Sequence, residues 1–136
     1  MNTKTIKISL TGLAVLASAA CLDAATIIKT NNTDNLNLTT SWVGGVVPGP
    51  LDVAKWDSTV AGANSVALGA NTSWGGIIIT NPGGPVAITA GNTLTLGPSG
   101  IDMSRASQNL TISSGLTLGS GTQRWNVTEN LAKTQV

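Results

Sequence analysis

Leu94-Thr95-Leu96-Gly97 returns farther along the chain as an exact copy, Leu116-Thr117-Leu118-Gly119. Between the two copies stand two more short apolar pieces, Ile101 with Met103 and Leu110-Thr111-Ile112. Each piece places aliphatic residues two apart with a small or polar residue between them, the pattern of a strand with one buried face. Val66-Ala67-Leu68-Gly69, Val86-Ala87-Ile88-Thr89 and Trp125-Asn126-Val127-Thr128 alternate in the same way, and turn material (GAN, GPSG, SSG, GSG) separates the pieces. A repeat of this length holding three short strands suits a parallel β-helix. Each period is then one triangular coil, stacked on the next at the strand spacing of about 4.8 Å.

This reading makes definite demands. Leu94 and Leu96 should stack on Leu116 and Leu118, while Thr95 and Thr117 point outward as a ladder of hydroxyls. Val66-Ala67-Leu68-Gly69 reads as a looser member of the same series. Trp125 should enter the core of the last coil beside Val127. The alternation also fits an antiparallel β-sandwich, which the repeat disfavours. No sustained helical period occurs from Thr26 onward, although the tail Glu129–Val136 is compatible with a frayed helical turn.

Composition agrees with an all-β extracellular chain. Thr, Val and Ile favour strands, and Asn and Gly favour turns. The start has a different character: Lys4 and Lys7 precede the uncharged apolar run Ile8–Ala20, and small residues follow at Ala24 and Ala25. That is the layout of a secretory signal peptide, too short to span a membrane, with cleavage expected near Ala24 or Ala25. Cys21 is either a lipid-bearing residue or lost with the leader. In the second case the mature chain has no cysteine, and no disulfide can staple it. The expected organisation is residues 1–25 as signal peptide, 26–57 as an N-terminal strand and turn region acting as a cap, and 58–136 as β-helix coils.

The charges exclude some classes of partner. After the leader five cations (Lys29, Lys55, Arg105, Arg124, Lys133) face five anions (Asp34, Asp52, Asp57, Asp102, Glu129), and neither sign clusters. Nothing here attracts nucleic acid, and no later run is long enough for a membrane span. Catalytic patterns are also missing. The chain has no His, so a Ser-His-Asp system is excluded, as are metal sites built on His or Cys. No Asp-x-Asp calcium pattern and no GxxxxGK phosphate loop occurs. Asp102 and Arg105 share a loop that Asp52 or Asp57 would approach only in a stacked solenoid, and a surface ion pair explains them better than a glycosidase pair. No catalytic residue, cofactor site or metal site is expected.

The four tryptophans carry the remaining question. Trp42 and Trp56 flank the rigid turn Gly44-Gly45…Pro48-Gly49-Pro50, and Trp74 precedes Gly75-Gly76. A solenoid needs bulky residues to close its first coil, because an open edge invites aggregation. Trp42, Trp56 and Trp74 therefore read as caps or corner posts. The other reading makes them a ligand-binding platform for a glycan.

The order of these motifs resembles the N-terminal region of bacterial proteins with autotransporter-associated β-strand repeats. Trp42…Gly45-Val46-Val47-Pro48, Asp52-Val53-Ala54-Lys55-Trp56-Asp57, Val66-Ala67-Leu68-Gly69, Gly75-Gly76-Ile77, Leu94-Thr95-Leu96-Gly97, Gly100-Ile101 and Gln123-Arg124-Trp125-Asn126-Val127 carry the resemblance, from about Asn31 to Val127. It implies a right-handed parallel β-helix displayed at, or released from, the surface of a Gram-negative cell. Family members usually run on for more coils, so the chain is expected to be a fragment or a short member. The functional expectation is a non-enzymatic, adhesin-like structural or interaction protein whose partner is an extracellular glycan or another surface protein. A carbohydrate-binding module and the first coils of a polysaccharide-active enzyme are the other readings.

Overall fold

The computed structural model describes residues 23–127. The apolar run Ile8–Ala20, Cys21 and the tail Glu129–Val136 lie outside the described residues. Nine strands follow in chain order: β1 (Thr26–Ile28), β2 (Val53–Trp56), β3 (Asn64–Val66), β4 (Thr72–Ile79), β5 (Val86–Ile88), β6 (Thr93–Asp102), β7 (Leu110–Ile112), β8 (Gly115–Leu118) and β9 (Trp125–Asn126). Among the described residues a single 3-10 turn covers Thr39–Ser41. Every strand pair is parallel. The one antiparallel contact among the described residues is the isolated bridge between Lys29 and Trp42. The molecule is a parallel β-solenoid of about four turns, and the sandwich alternative is overturned.

Three strand columns make up the coil. β4 and β6 are long because each runs over a corner, with a register shift between Trp74 and Gly76. Their first halves and β8 form one face, in which Ser73, Thr95 and Thr117 are neighbours. Their second halves join β1, β2 and β9 in a second face, and β3, β5 and β7 form the third. On the first face Leu94 pairs with Leu116, one period of the sequence repeat away. The period is slightly longer farther round, where Ile101 pairs with Trp125 and Val86 with Leu110. The first turn is longer still, from Thr26 to Val53.

Glycine makes the corner between the first two faces possible. A side chain on Gly75 would run into the Leu51 carbonyl. Gly100, in the same bend one turn on, has φ +61° and lies against the Arg124 carbonyl. Only a residue without Cβ turns a strand there without opening the ladder.

Period two decides what is buried. Leu94, Leu96, Ile77, Ile79, Val86 and Ile88 point inward and stack in columns, whereas Thr95, Ile78 and Ala87 lie on outward positions. Leu94 pairs with Leu116 and Leu96 with Leu118, as the repeat demands. Val66 belongs elsewhere. It pairs with Ile88, which pairs with Ile112, so this piece is a member of the third face and no relative of the Leu94 series. Trp125 also departs from expectation. It holds an inward position above Ile101 but is half exposed, because no described rung covers it.

Candidate functional site

Trp42, Trp56 and Trp74 gather at the N-terminal end of the core, all fully buried. Trp42 meets both of the others edge-on, with ring centroids 5.8 Å apart at 75° and 85°, and Trp56 lies 6.3 Å from Trp74. Edge-to-face contact sets the positive rim of one ring against the negative face of another. The Trp42 Nε1–H donates to the Leu36 carbonyl at 2.9 Å, and the Trp56 Nε1–H donates to Asn64 Oδ1 at 3.0 Å. The Trp74 Nε1 has no partner among the described residues. Stacking on a sugar requires an exposed ring face, and none of these three rings presents one. The sole exposed tryptophan among the described residues is Trp125.

The loop above this cluster closes the end of the solenoid. Leu36 and Asn37 donate their amides to the Ala67 and Leu68 carbonyls, and Ser41 Oγ donates to the Asp34 and Asn35 carbonyls. Lys29 is completely buried beneath it. All three of its ammonium hydrogens find oxygens, at the Thr30 carbonyl (3.0 Å), the Asn32 carbonyl (2.9 Å) and Asn32 Oδ1 (2.6 Å). Burial pushes its pKa down to about 8, against the pull of Asp34. Asn64 links this network to the tryptophans, since its amide also donates to the Asn32 carbonyl at 2.8 Å. A lone lysine just past a short apolar stretch gives no sequence signal of such a role.

Two polar depressions mark the outer faces. One, of about 590 Å³, lies on the first face between the turn Pro48-Gly49-Pro50 and the outward residues Ser73, Thr93 and Thr95. The other, of about 400 Å³, lies on the second face, where Lys55, Asp102 and Arg105 ring a floor containing Ile78. Lys55 and Asp102 are separated there by one rung, through Ile78. Lys55 pairs with Asp57 at 3.4 Å. For Asp57, burial pushes the carboxyl up, but the Thr59 hydrogen bonds and Lys55 outweigh it and hold the pKa below the usual value. For Asp102, hydrogen bonds from Ser104 and then the nearby Arg105 keep the carboxyl low.

Asp52 is not drawn toward Asp102. It accepts from the Ala25 amide at 2.9 Å and the Gly49 amide at 2.8 Å, which ties β1 to the Pro-Gly-Pro turn. No group of three metal-ligating side chains comes together among the described residues. No described helix is long and apolar enough to cross a membrane.

Set against known families, curated proteins and solved structures, the chain shows no match. The fold and the site geometry are therefore the basis for a functional reading.

Proposed function

We propose that this chain is an exported, non-enzymatic structural and interaction protein: a β-solenoid stem displayed at or released from a Gram-negative cell surface. One observation carries the reading. Inward columns run without a break from the tryptophan cluster to the last described turn, with Ile27, Ala54, Ile77 and Ile101 in register. A ladder of this kind is a stiff spacer, because each turn supports the next through both backbone pairing and apolar contact. Near-zero net charge after the leader and the secretory pattern of residues 1–25 support export.

The test is to express the full chain with a C-terminal epitope tag in a Gram-negative host, then fractionate the cells and add protease from outside. The chain is expected outside the inner membrane, with a core fragment that resists digestion. Retention of the whole chain in the cytoplasm rejects the reading. A glycan-contacting module is the second reading, favoured by the hydroxyl-lined depression beside Pro48-Gly49-Pro50 rather than by the buried indoles.

A further inference from the structure

The outer side of the first face carries a small grid of neutral polar groups. Ser73 and Thr95 are neighbours in adjacent rungs, and Asn71 and Thr93 stand two residues before them. Rungs lie about 4.8 Å apart, and residues two apart along a strand about 6.7 Å apart. The Thr93 amide donates to Asn71 Oδ1 at 2.9 Å, so the Asn71 side chain is held by its acceptor. Its Nδ2 donors are left unspent among the described residues. Several hydroxyls elsewhere are taken up by the fold: those of Thr30, Thr40, Ser41 and Thr89 donate to protein oxygens at 2.6 to 3.3 Å. Those of Ser73, Thr93 and Thr95 have no protein partner among the described residues, and all three line the depression of about 590 Å³. Its wall is the turn Pro48-Gly49-Pro50. The Asp52 carboxylate fastens that turn, accepting from the Gly49 amide at 2.8 Å and from the Ala25 amide at 2.9 Å.

We propose that this depression binds an uncharged glycan chain. The inference rests on the second, glycan-contacting reading, and it names the site and the ligand class for it. Each Ser or Thr hydroxyl both donates and accepts, and the Asn71 amide adds donors, so the floor complements a ligand whose own groups are hydroxyls. Every residue that lines the depression is neutral. A charged sugar would leave water there without gaining an opposite charge, which disfavours acidic and basic glycans. The exposed ring of Pro50 offers the wall an apolar surface for the C–H face of a sugar.

The depression on the second face is built for something else. Its charged groups already have protein partners: Lys55 pairs with Asp57 at 3.4 Å, and Asp102 accepts from the Ser104 amide at 2.9 Å. On the first face the floor is a strand ladder and the wall is fastened, so a ligand orders little of the protein when it binds. A chain lying along the solenoid axis meets Ser73 and then Thr95 one rung on. No aromatic ring lines the site, so the affinity is weak.

The test is to titrate the 15N-labelled full chain into the millimolar range and follow its amide shifts. The probes are neutral oligosaccharides of glucose, mannose and N-acetylglucosamine, with oligogalacturonate as the charged control and a neutral Gly-Ser peptide as the non-sugar control. At least one neutral oligosaccharide is expected to move the amides of Asn71–Ser73 and Thr93–Thr95, and neither control is expected to do so. Thr93→Val combined with Thr95→Val keeps the branched shape and the strand preference. It is expected to raise the dissociation constant at least about tenfold, with the melting temperature little changed. Asn71→Asp, which keeps the acceptor for the Thr93 amide and replaces the donor by a charge, is expected to weaken binding as well. Thr111→Val, an exposed outward position on the third face, is expected to leave it unchanged. No shift with any neutral oligosaccharide overturns both this proposal and the glycan-contacting reading. Binding that survives the double variant, or that moves amides around Trp125 instead, overturns this site and leaves that reading standing. An equal or stronger response to oligogalacturonate or to the peptide overturns the ligand class.

Discussion

The ammonium of Lys29 is held inside the closed end by three oxygens, and its cost can be read from pH. Its folded pKa of about 8 lies below the usual 10.5, so between those values the unfolded chain binds more protons than the folded one. Stability should therefore rise as pH increases from about 8 to about 10.5, and stay level with respect to this group below 8. Melting curves across that window check the sign. Lys29→Met should remove the slope while lowering stability throughout, because it strips the donor from Asn32. The tryptophans give a second contrast. Trp56→Phe deprives Asn64 Oδ1 of its donor, whereas Trp74→Phe removes an N–H with no partner among the described residues. Both lose ring volume, but Trp56→Phe should cost about 1–2 kcal/mol more in urea denaturation. Equal costs would show that the Asn64 bond contributes nothing net.

Strand by strand, the alternation made the inward and outward positions legible, and the return of Leu-Thr-Leu-Gly made the first face legible. Two chemically identical copies, one period apart, fix both the partner and its register. The same alternation misled at Val66, because period two says which side of a strand is inside but not to which side of the triangle the strand belongs. Trp125 shows a second limit: its column was readable, but burial also depends on the rung above. The same distinction predicts a gradient of mutational cost. Leu94→Ala empties a fully enclosed position and should cost about 2–5 kcal/mol, whereas Leu116→Ala, in the same column but 39% exposed, should cost less than half as much. Thr95→Ala, outward on the same strand as Leu94, should fall within about 0.5 kcal/mol of neutral. Denaturant midpoints of the three variants rank them. A Leu116→Ala penalty as large as that of Leu94→Ala would mean that the last rung is enclosed in solution.

Across the whole molecule, stability is distributed along one axis. Each turn touches only its neighbours, so the cost of opening a turn depends on how many neighbours it leaves behind and on what it uncovers. Opening the first turn separates three interlocked indoles, Leu36 and the Lys29–Asn32–Asn64 network. Opening the last described turn uncovers side chains that are already half exposed, and among the described residues it breaks backbone pairing on one side only. Unfolding should therefore start at β8 and β9 and travel toward the tryptophans. In hydrogen exchange on dilute protein, where any association is negligible, amides of Gly115–Leu118 and Trp125–Asn126 should exchange first and those at the centre of β4 last. Substitutions sharpen the test. Trp42→Ala should lower protection throughout, because it loosens the anchor on which every later turn is stacked. Leu116→Ala should lower protection in β8 and leave Ile77 and Ile79 nearly unchanged. Uniform exchange at the global rate would instead make the solenoid a single cooperative unit, with the tryptophan end no firmer than the open one.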